Sequence, residues 1–440
     1  MKIVFIFAEI IHNNTPKQGY LMNVDPIFSR SDLAEESSSI RLKKFILKKR
    51  IIQLLYLEGN KSIPDIGRAT GMSIPTITRT ITELIDEGLV LDNGIGASIG
   101  GRRPNLYLLN AEARYVLGID MGRFSTHIAV LNLNRQIVTS ESIIVSELEY
   151  DENIVDKIYL KFKELISNAG IDPKKLIGIG VAFPGLIDSK TGMSQTYKNF
   201  SDRPLSRFFE DKFDLPVYVE NDARVMTLGE SYFGLAQGKE NVLCLKISAG
   251  IGMGMILNGK LYRGNSGFAG EFGHLEVEPE GKLCICGKRG CLETVASGSA
   301  IARRAQNDMT NGMVSILGKL SGENPEKVDA EMVVQAAQLE DQYAIGLLSE
   351  LGEQLGKGIA VLINIFNPEM IIIGGKIGVA ENYIIDPLQL SLNKYAISRI
   401  KRDCQIVTSK LRDKAALLGT FALVIDKIFE DLKEYPSNKY

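Results

Sequence analysis

Between His274 and Cys291 the chain places one histidine and three cysteines, Cys284, Cys286 and Cys291, within eighteen residues. Thiolates and an imidazole are soft donors, and four of them complete a closed tetrahedral zinc site. A site filled by protein ligands has no position for catalytic water. The expected ion is therefore a structural zinc, held by His274, Cys284, Cys286 and Cys291 and pinning one loop. The chain has only three histidines and five cysteines in all, so this clustering is not a matter of composition. Three cysteines this close favour metal binding over a disulfide framework.

A second stretch, Val217-Tyr218-Val219-Glu220-Asn221-Asp222-Ala223, carries an Asn-Asp pair to the end of an apolar strand. Active-site residues of α/β folds project from such ends. An aspartate there can accept a proton from a sugar hydroxyl, and an asparagine both donates and accepts hydrogen bonds. Asn-Asp is equally a common turn dipeptide, so the pair alone leaves both readings open. Two glycine-bearing segments follow: Ser248 to Gly254, with Gly250 and Gly252, and Gly374-Gly375 after an apolar strand. Their backbone N–H groups could cradle phosphate, although glycines also serve tight turns.

The elements positioning these residues fall into two blocks. With 440 residues, two or three domains are expected. Residues 1–39 read as an extension with a mobile, serine-rich arm, and residues 1–21, ahead of Met22, as an upstream addition. From Ile40 to Leu57 apolar residues recur at helical spacing and stop at Glu58-Gly59-Asn60. Ser62-Ile63-Pro64-Asp65 starts a second helix that ends at Gly71, and Ser73 caps a third that ends at Gly88. On the third helix Ile74, Ile77, Ile81, Leu84 and Ile85 share an inner face. Pro75, Thr76, Arg79, Thr82 and Glu83 lie opposite, a surface of small hydroxyls and one arginine that suits a major groove. Val90-Leu91 and Leu106 to Leu109 then read as two strands around a glycine-rich loop carrying Arg102 and Arg103, which has the form of a DNA-touching wing. The expected DNA contacts are Thr76, Arg79, Arg102 and Arg103, within a winged helix-turn-helix spanning residues 40–110. Net charge is only −2. DNA affinity must therefore be local, and Arg41, Lys43, Lys44, Lys48, Lys49 and Arg50 supply a basic run, if they do not merely form a solvated helix face.

After Asn110 the pattern changes to alternating strands and helices: Tyr115 to Asp120, Ile128 to Leu131, Ile137 to Val145, a helix over Asn153 to Ala169, Ile177 to Val181, and Met370 to Gly375. This is the grammar of an α/β domain. No apolar stretch approaches bilayer length, and the short run Ile3 to Ala8 makes no convincing leader, so a cytoplasmic protein without a membrane segment is expected.

Together these residues resemble the ROK family of repressors, open reading frames and kinases. The resemblance runs from about Tyr115 to the end and is most specific from Gly250 through Ser297. Val181-Ala182-Phe183-Pro184-Gly185 and Glu220-Asn221-Asp222-Ala223 add to it. The segment ending in Gly101-Arg102-Arg103-Pro104 is similar to the DNA-binding half of the family's xylose and N-acetylglucosamine repressors. The resemblance implies a two-lobed, actin-like or hexokinase-type domain over 111–440. Lobe 1 would span about 111–222 plus the C-terminal helix, and lobe 2 about 223–410. It also implies a sugar site of Asn221, Asp222, Glu271, His274 and Glu293. His274 would be shared, with one ring nitrogen on zinc and the other toward a sugar hydroxyl.

The resemblance breaks at one point. Family kinases open with Asp-x-Gly-Gly-Thr, where this chain has Asp120-Met121-Gly122-Arg123-Phe124-Ser125. Arg123 obstructs close backbone approach to phosphate and Phe124 offers no hydroxyl, unless Ser125 or Thr126 compensates. ATP and magnesium, with Asp222 as catalytic base and Gly122, Gly250, Gly252, Gly374 and Gly375 near nucleotide, are expected only if kinase activity remains. The expected function is a repressor of carbohydrate-utilisation genes, acting on operator DNA as a homodimer or dimer of dimers and answering to a sugar or sugar-phosphate. The alternative is an ATP-dependent, glucokinase-like sugar kinase.

Overall fold

The computed structural model describes residues 26–28, 39–95, 104–188, 191–430 and 432. Its first helices are α1 (Ser39–Glu58), α2 (Ile63–Thr70) and α3 (Ile74–Asp86). Ser62 and Asp65 cap α2 reciprocally: Ser62 Oγ accepts from Asp65 N at 3.3 Å, and Asp65 Oδ2 accepts from Ser62 N at 3.2 Å. Strands β1 (Lys61–Ser62), β2 (Val90–Ile95) and β3 (Asn105–Leu109) form an antiparallel sheet in the order β1-β3-β2. At two residues, β1 is too short to show an alternating pattern in sequence. Arg102 and Arg103 of the expected wing lie outside the described residues, as do residues 1–25.

Two expectations about this module need correction. Ile77, Ile81 and Leu84 of α3 are buried, but Ile74 and Ile85 are 49% and 37% exposed. They stand in the first and last turns, and Thr80 joins the buried stripe, its hydroxyl satisfied by Thr76 O at 2.9 Å. The basic run of α1 is split: Arg41, Lys43 and Lys44 are exposed, whereas Lys48 and Lys49 are buried. Lys44 and Lys48 pair with Glu83 at 2.8 and 3.1 Å, Lys48 also binds Glu87, and Lys49 is fully buried. Lys44 and Lys48 tie α1 to α3, and Glu83 faces α1 instead of a groove.

The remaining chain builds two five-stranded sheets. The first comprises β4 (Tyr115–Met121), β5 (Ser125–Asn132), β6 (Ser142–Val145), β7 (Leu176–Phe183) and β8 (Val217–Asn221), in the order β6-β5-β4-β7-β8. With it come α4 (Ile154–Asn168), α5 (Leu205–Phe213) and α6 (Asp222–Phe233). The second comprises β9 (Val242–Ile247), β10 (Ile251–Leu257), β11 (Lys260–Leu261), β12 (Met370–Gly374) and β13 (Gln405–Thr408), in the order β11-β10-β9-β12-β13. Helices α7 (Glu293–Ala296), α8 (Gly298–Thr310), α9 (Leu317–Leu320), α10 (Ala330–Gln338), α11 (Gln342–Phe366), α12 (Glu381–Tyr395) and α13 (Ser398–Asp403) are inserted in it, and α14 (Lys414–Ile428) follows. Each sheet pairs its first three strands antiparallel and its last two parallel, so one topology occurs twice. The strand expected from Ile137 is shorter, because Ile137 makes only a single bridge to Leu131.

Two helices cross between the sheets. Helix α6 leaves β8 of the first sheet and packs on β9 and β10 of the second, while α14 leaves the second sheet and packs on β4 and β7 of the first. They meet backbone to backbone: a Cβ on Gly229 would stand 2.0 Å from Ala415 O, and one on Gly419 would stand 1.9 Å from Val225 O. Only glycine permits that approach.

The winged helix is not a separate bead. Ile51, Ile77 and Val90 share one core with Val116, Leu131, Phe421 and Ile425 of the first sheet and α14. Ile27 and Phe28 are buried in the same core, and Arg114 lies over the Phe28 ring at 5.7 Å. Ile27 and Phe28 of the expected arm thus pack on that core.

Candidate functional site

The cysteine cluster forms from a small knuckle. Cys284 N donates to Lys288 O at 2.7 Å, Gly287 N to Cys284 O at 2.9 Å, and Leu292 N to Leu275 O at 2.8 Å, so the loop folds back onto the segment bearing His274. Ligand atoms of His274, Cys284, Cys286 and Cys291 all lie within 4.8 Å of one another. His274 Nδ1 is 3.5 Å from Cys284 Sγ, and Cys286 Sγ is 3.6 Å from Cys291 Sγ. A tetrahedral zinc with Zn–S bonds of about 2.3 Å would space its sulfurs by about 3.8 Å, so spacing and donor chemistry fit that ion. The other ring nitrogen, Nε2, faces Glu271 Oε2 at 3.9 Å. The histidine thus stands between the cysteines and Glu271.

Asp222, Glu293 and Arg224 lie near enough to Glu271 to act on its charge. Burial holds Glu271 above the usual glutamate range; attraction from His274 and Arg224 opposes this, and Asp222 and Glu293 add repulsion. Glu293 opens α7, and its Oε2 accepts from Ile251 N at 2.9 Å across Gly250, where a Cβ would meet the same oxygen at 2.5 Å. Asn221 ends β8 and caps α6: its Oδ1 accepts from Ala223 N and Arg224 N at 3.1 and 3.2 Å, and its Nδ2 donates to Gly185 O at 3.1 Å. Asn221 therefore carries a structural role alongside any ligand contact. Glu220, which sequence reasoning passed over, lies between Arg224 Nε and Arg263 Nε, each at 2.7 Å.

The glycines expected near nucleotide are used differently from one another. Gly122 N donates to Ser125 O at 2.8 Å in the β4–β5 turn, where the Arg123 guanidinium lies over the Phe124 ring at 5.2 Å. A Cβ on Gly252 would meet Ala223 Cβ at 2.8 Å, and one on Gly374 would meet Met226 Cε at 2.9 Å. Gly375, at φ +86°, would press on Ile247 O at 2.4 Å. All three let α6 and the β12 turn pack closely.

A residue unremarked in the sequence reading sits at the centre. Lys246 Nζ lies 3.0 Å from Asp222 Oδ2 and 3.4 Å from Asp120 Oδ1, joining the second sheet to two acids of the first lobe. Burial would lower the ammonium's pKa, but the two carboxylates outweigh it and hold the group above the ordinary lysine range. The signal was present: one lysine interrupts the apolar strand Val242–Ile247.

On the DNA-binding side, Arg79 is exposed and Thr76 half-buried, its hydroxyl 2.9 Å from Ser73 Oγ. Exposed Thr78 and Thr82 extend this face, with hydroxyls donating to Ile74 O and Thr78 O at 2.9 and 3.0 Å. Thr78 was not among the expected contacts.

Comparison with known proteins agrees with this architecture. The chain matches the ROK family over residues 116–427 and a winged helix-turn-helix DNA-binding model over residues 46–90. It is 32% identical to the xylose repressor of Caldicellulosiruptor bescii over 89% of this chain and 98% of that one. It is 28% identical to the DNA-binding transcriptional dual regulator NagC of Escherichia coli, over 88% and 94%. Among solved structures, a ROK family transcriptional regulator, homologous to the E. coli MLC protein, aligns with a TM-score of 0.70 at 27% identity, over 89% of this chain and 99% of that one. A ROK family glucokinase from Streptomyces griseus, in complex with glucose and AMPPNP, aligns with a TM-score of 0.62 at 30% identity, over 70% and 97%. With this span of similarity, and with a DNA-binding module fused to the paired sheets, the chain belongs to the ROK family as one of its transcriptional repressors.

Proposed function

We propose that this protein represses carbohydrate-utilisation genes and releases operator DNA when a sugar or sugar-phosphate enters the cleft between its two sheets. Asn221, Asp222, Glu271, His274 and Glu293 would hold the ligand's hydroxyls. Zinc on His274, Cys284, Cys286 and Cys291 would supply no chemistry beyond fixing the loop before Glu293 and the tautomer of His274. Thr76 and Arg79 of α3, with wing residues Arg102 and Arg103, would read DNA, and a homodimer would place two such modules on a pseudo-palindrome.

The observation that carries this reading is the course of α6. The helix begins at Asp222 in the cleft and ends at Phe233. There Phe233 and Tyr56 of α1 both lie against Arg135, at 5.6 and 4.5 Å from its guanidinium. Arg135 Nη2 also donates to Tyr56 O at 2.7 Å, and the Tyr232 hydroxyl binds Asp426 of α14. A ligand that draws the lobes together would move α6 as a rod, and its far end bears on the first helix of the DNA-binding module. Such a ligand works by favouring one of two arrangements.

The test begins with an operator selected from random duplexes by the full chain, followed by titration with monosaccharides and their 6-phosphates. One sugar should lower DNA affinity by about 5- to 150-fold, the ordinary range of allosteric coupling. Arg79→Ala should weaken operator binding and leave sugar binding intact. If residues 110–440 alone bound the operator as tightly as the full chain, the DNA assignment would be wrong. The kinase alternative draws on retained Asp222 and on similarity to the Streptomyces griseus glucokinase. A coupled ADP assay with magnesium and ATP separates the two, since turnover of about 1–100 per second, abolished by Asp222→Ala, is what a kinase gives. The expected result is no turnover.

A further inference from the structure

The trio Asp120, Lys246 and Asp222 bridges the two lobes with little solvent: the side chains are 14%, 13% and 19% exposed. Asp120 lies on β4 of the first sheet, and Asp222 opens α6. Lys246 comes from β9 in the second sheet, where its partners across both neighbouring strands are glycines, Gly252 on β10 and Gly374 on β12. Side chains at those two positions would collide with Ala223 and Met226 of α6, so the glycines let the helix that begins at Asp222 close over this part of the strand.

Two carboxylates gathered around one point with little solvent could hold a hard divalent cation, which takes oxygen ligands at about 2.0–2.6 Å. Here the ammonium already stands against both, so a metal bound to the pair would have to displace it. Displacement would leave a charge in a nearly buried position without its partners, which is strongly unfavourable. A nucleotide bound as its metal complex needs that cation to offset the phosphate charge.

We propose that Lys246 is a built-in counter-cation, a specificity residue that occupies the Asp120–Asp222 pair and restricts the cleft to ligands that bring no divalent metal. Metal–nucleotide is thereby refused, and an uncomplexed polyol, recognised by its hydroxyls, is the class admitted. This inference rests on the reading of the cleft as an effector site, but its test uses neither DNA nor sugar, so the two can fail separately.

The test is Mn²⁺ titration of the full-length, zinc-loaded protein, followed by electron paramagnetic resonance of free Mn²⁺. Mn²⁺ prefers oxygen ligands and leaves a thiolate-rich zinc cluster alone. Wild type should show no saturable uptake that depends on Asp222. Lys246→Met should take up one Mn²⁺ at least about tenfold more tightly, because the two carboxylates have lost their counter-charge. Adding Asp222→Asn to Lys246→Met should abolish that uptake, whereas Lys246→Arg, which keeps the cation, should behave as wild type. Equal Mn²⁺ binding by wild type and Lys246→Met, whether strong or absent, overturns the proposal. If Lys246→Met does not fold, Lys246→Gln takes its place. The wild type decides independently: saturable Mn²⁺ or Mn²⁺·ATP uptake that Asp222→Asn removes also overturns it.

Discussion

Glu220 shows how much of the cleft's geometry depends on one side chain. Its two oxygens each accept from an arginine, and Oε1 also accepts from Asn221 N at 2.8 Å, so it orients the strand end that presents Asn221 and Asp222. Burial opposes its ionisation, but Arg224 and Arg263 outweigh that and hold the carboxyl below the usual glutamate value of 4.5. A depressed native pKa contributes stability that is complete above the unfolded value and fades as pH falls through the native one. Glu220→Gln should therefore cost about 3 kcal/mol at pH 7, and the gap from wild type should shrink below about pH 4.5. Urea unfolding at both pH values checks it; a gap independent of pH would assign the loss to packing alone. The cysteine cluster makes a second residue-level prediction. Cys286→Ser should drop the metal content from about one zinc per chain to near zero by elemental analysis. Sugar binding should weaken with it, because Glu293 stands two residues beyond the anchored Cys291.

At the scale of elements, the crossing of α6 and α14 is the feature with the least tolerance. Gly229 and Gly419 let the two helices touch at backbone distance, and each helix is rooted in one sheet while packing on the other. Gly419→Ala would drive a methyl group toward Val225 O, 1.9 Å from the ideal Cβ position, and should cost about 2–3 kcal/mol as the helices part. Gly346→Ala on α11 is the control. Nothing lies within 4 Å of its Cβ position, so that change should be neutral or stabilising by up to about 1 kcal/mol. Thermal or urea unfolding of the two variants should move in opposite directions, and equal effects would mean that helix propensity, not the crossing, sets the response.

Taken as a whole, the molecule has its DNA-binding module fused into the first lobe through a shared core, and Arg135 marks the contact where α6 can act on α1. Arg135 sits at φ +66°, so Arg135→Gly removes the side chain without adding backbone strain. That variant should bind sugar and operator within about twofold of wild type but lose most of the sugar-induced release, since coupling and binding are separate free energies. Fluorescence anisotropy of operator DNA with and without sugar measures both. Undiminished release would move the transmission route away from α6.

The amino-acid sequence by itself determined what rests on local chemistry. The cluster of His274, Cys284, Cys286 and Cys291 was legible because four soft donors fall within one short stretch. The capped α2, the α3 stripe through Ile77, Ile81 and Leu84, and the strand ending in Asn221 were legible because their periods and caps are local. The doubled sheet topology was not, since strand order depends on pairing between segments far apart in the chain. Nor was the role of Lys44 and Lys48, whose partners Glu83 and Glu87 come from elsewhere in the chain and draw two members of the basic run into contacts between helices. Gly252, Gly374 and Gly375 stand at close-packing positions that only the fold reveals, because their neighbours arrive from other elements. Lys246 is the sharpest case: in sequence it is one charge in an apolar strand, and only folding brings Asp120 and Asp222 to it from two other elements. A charge in a nearly buried cleft is set by its partners, and partners are what tertiary structure supplies.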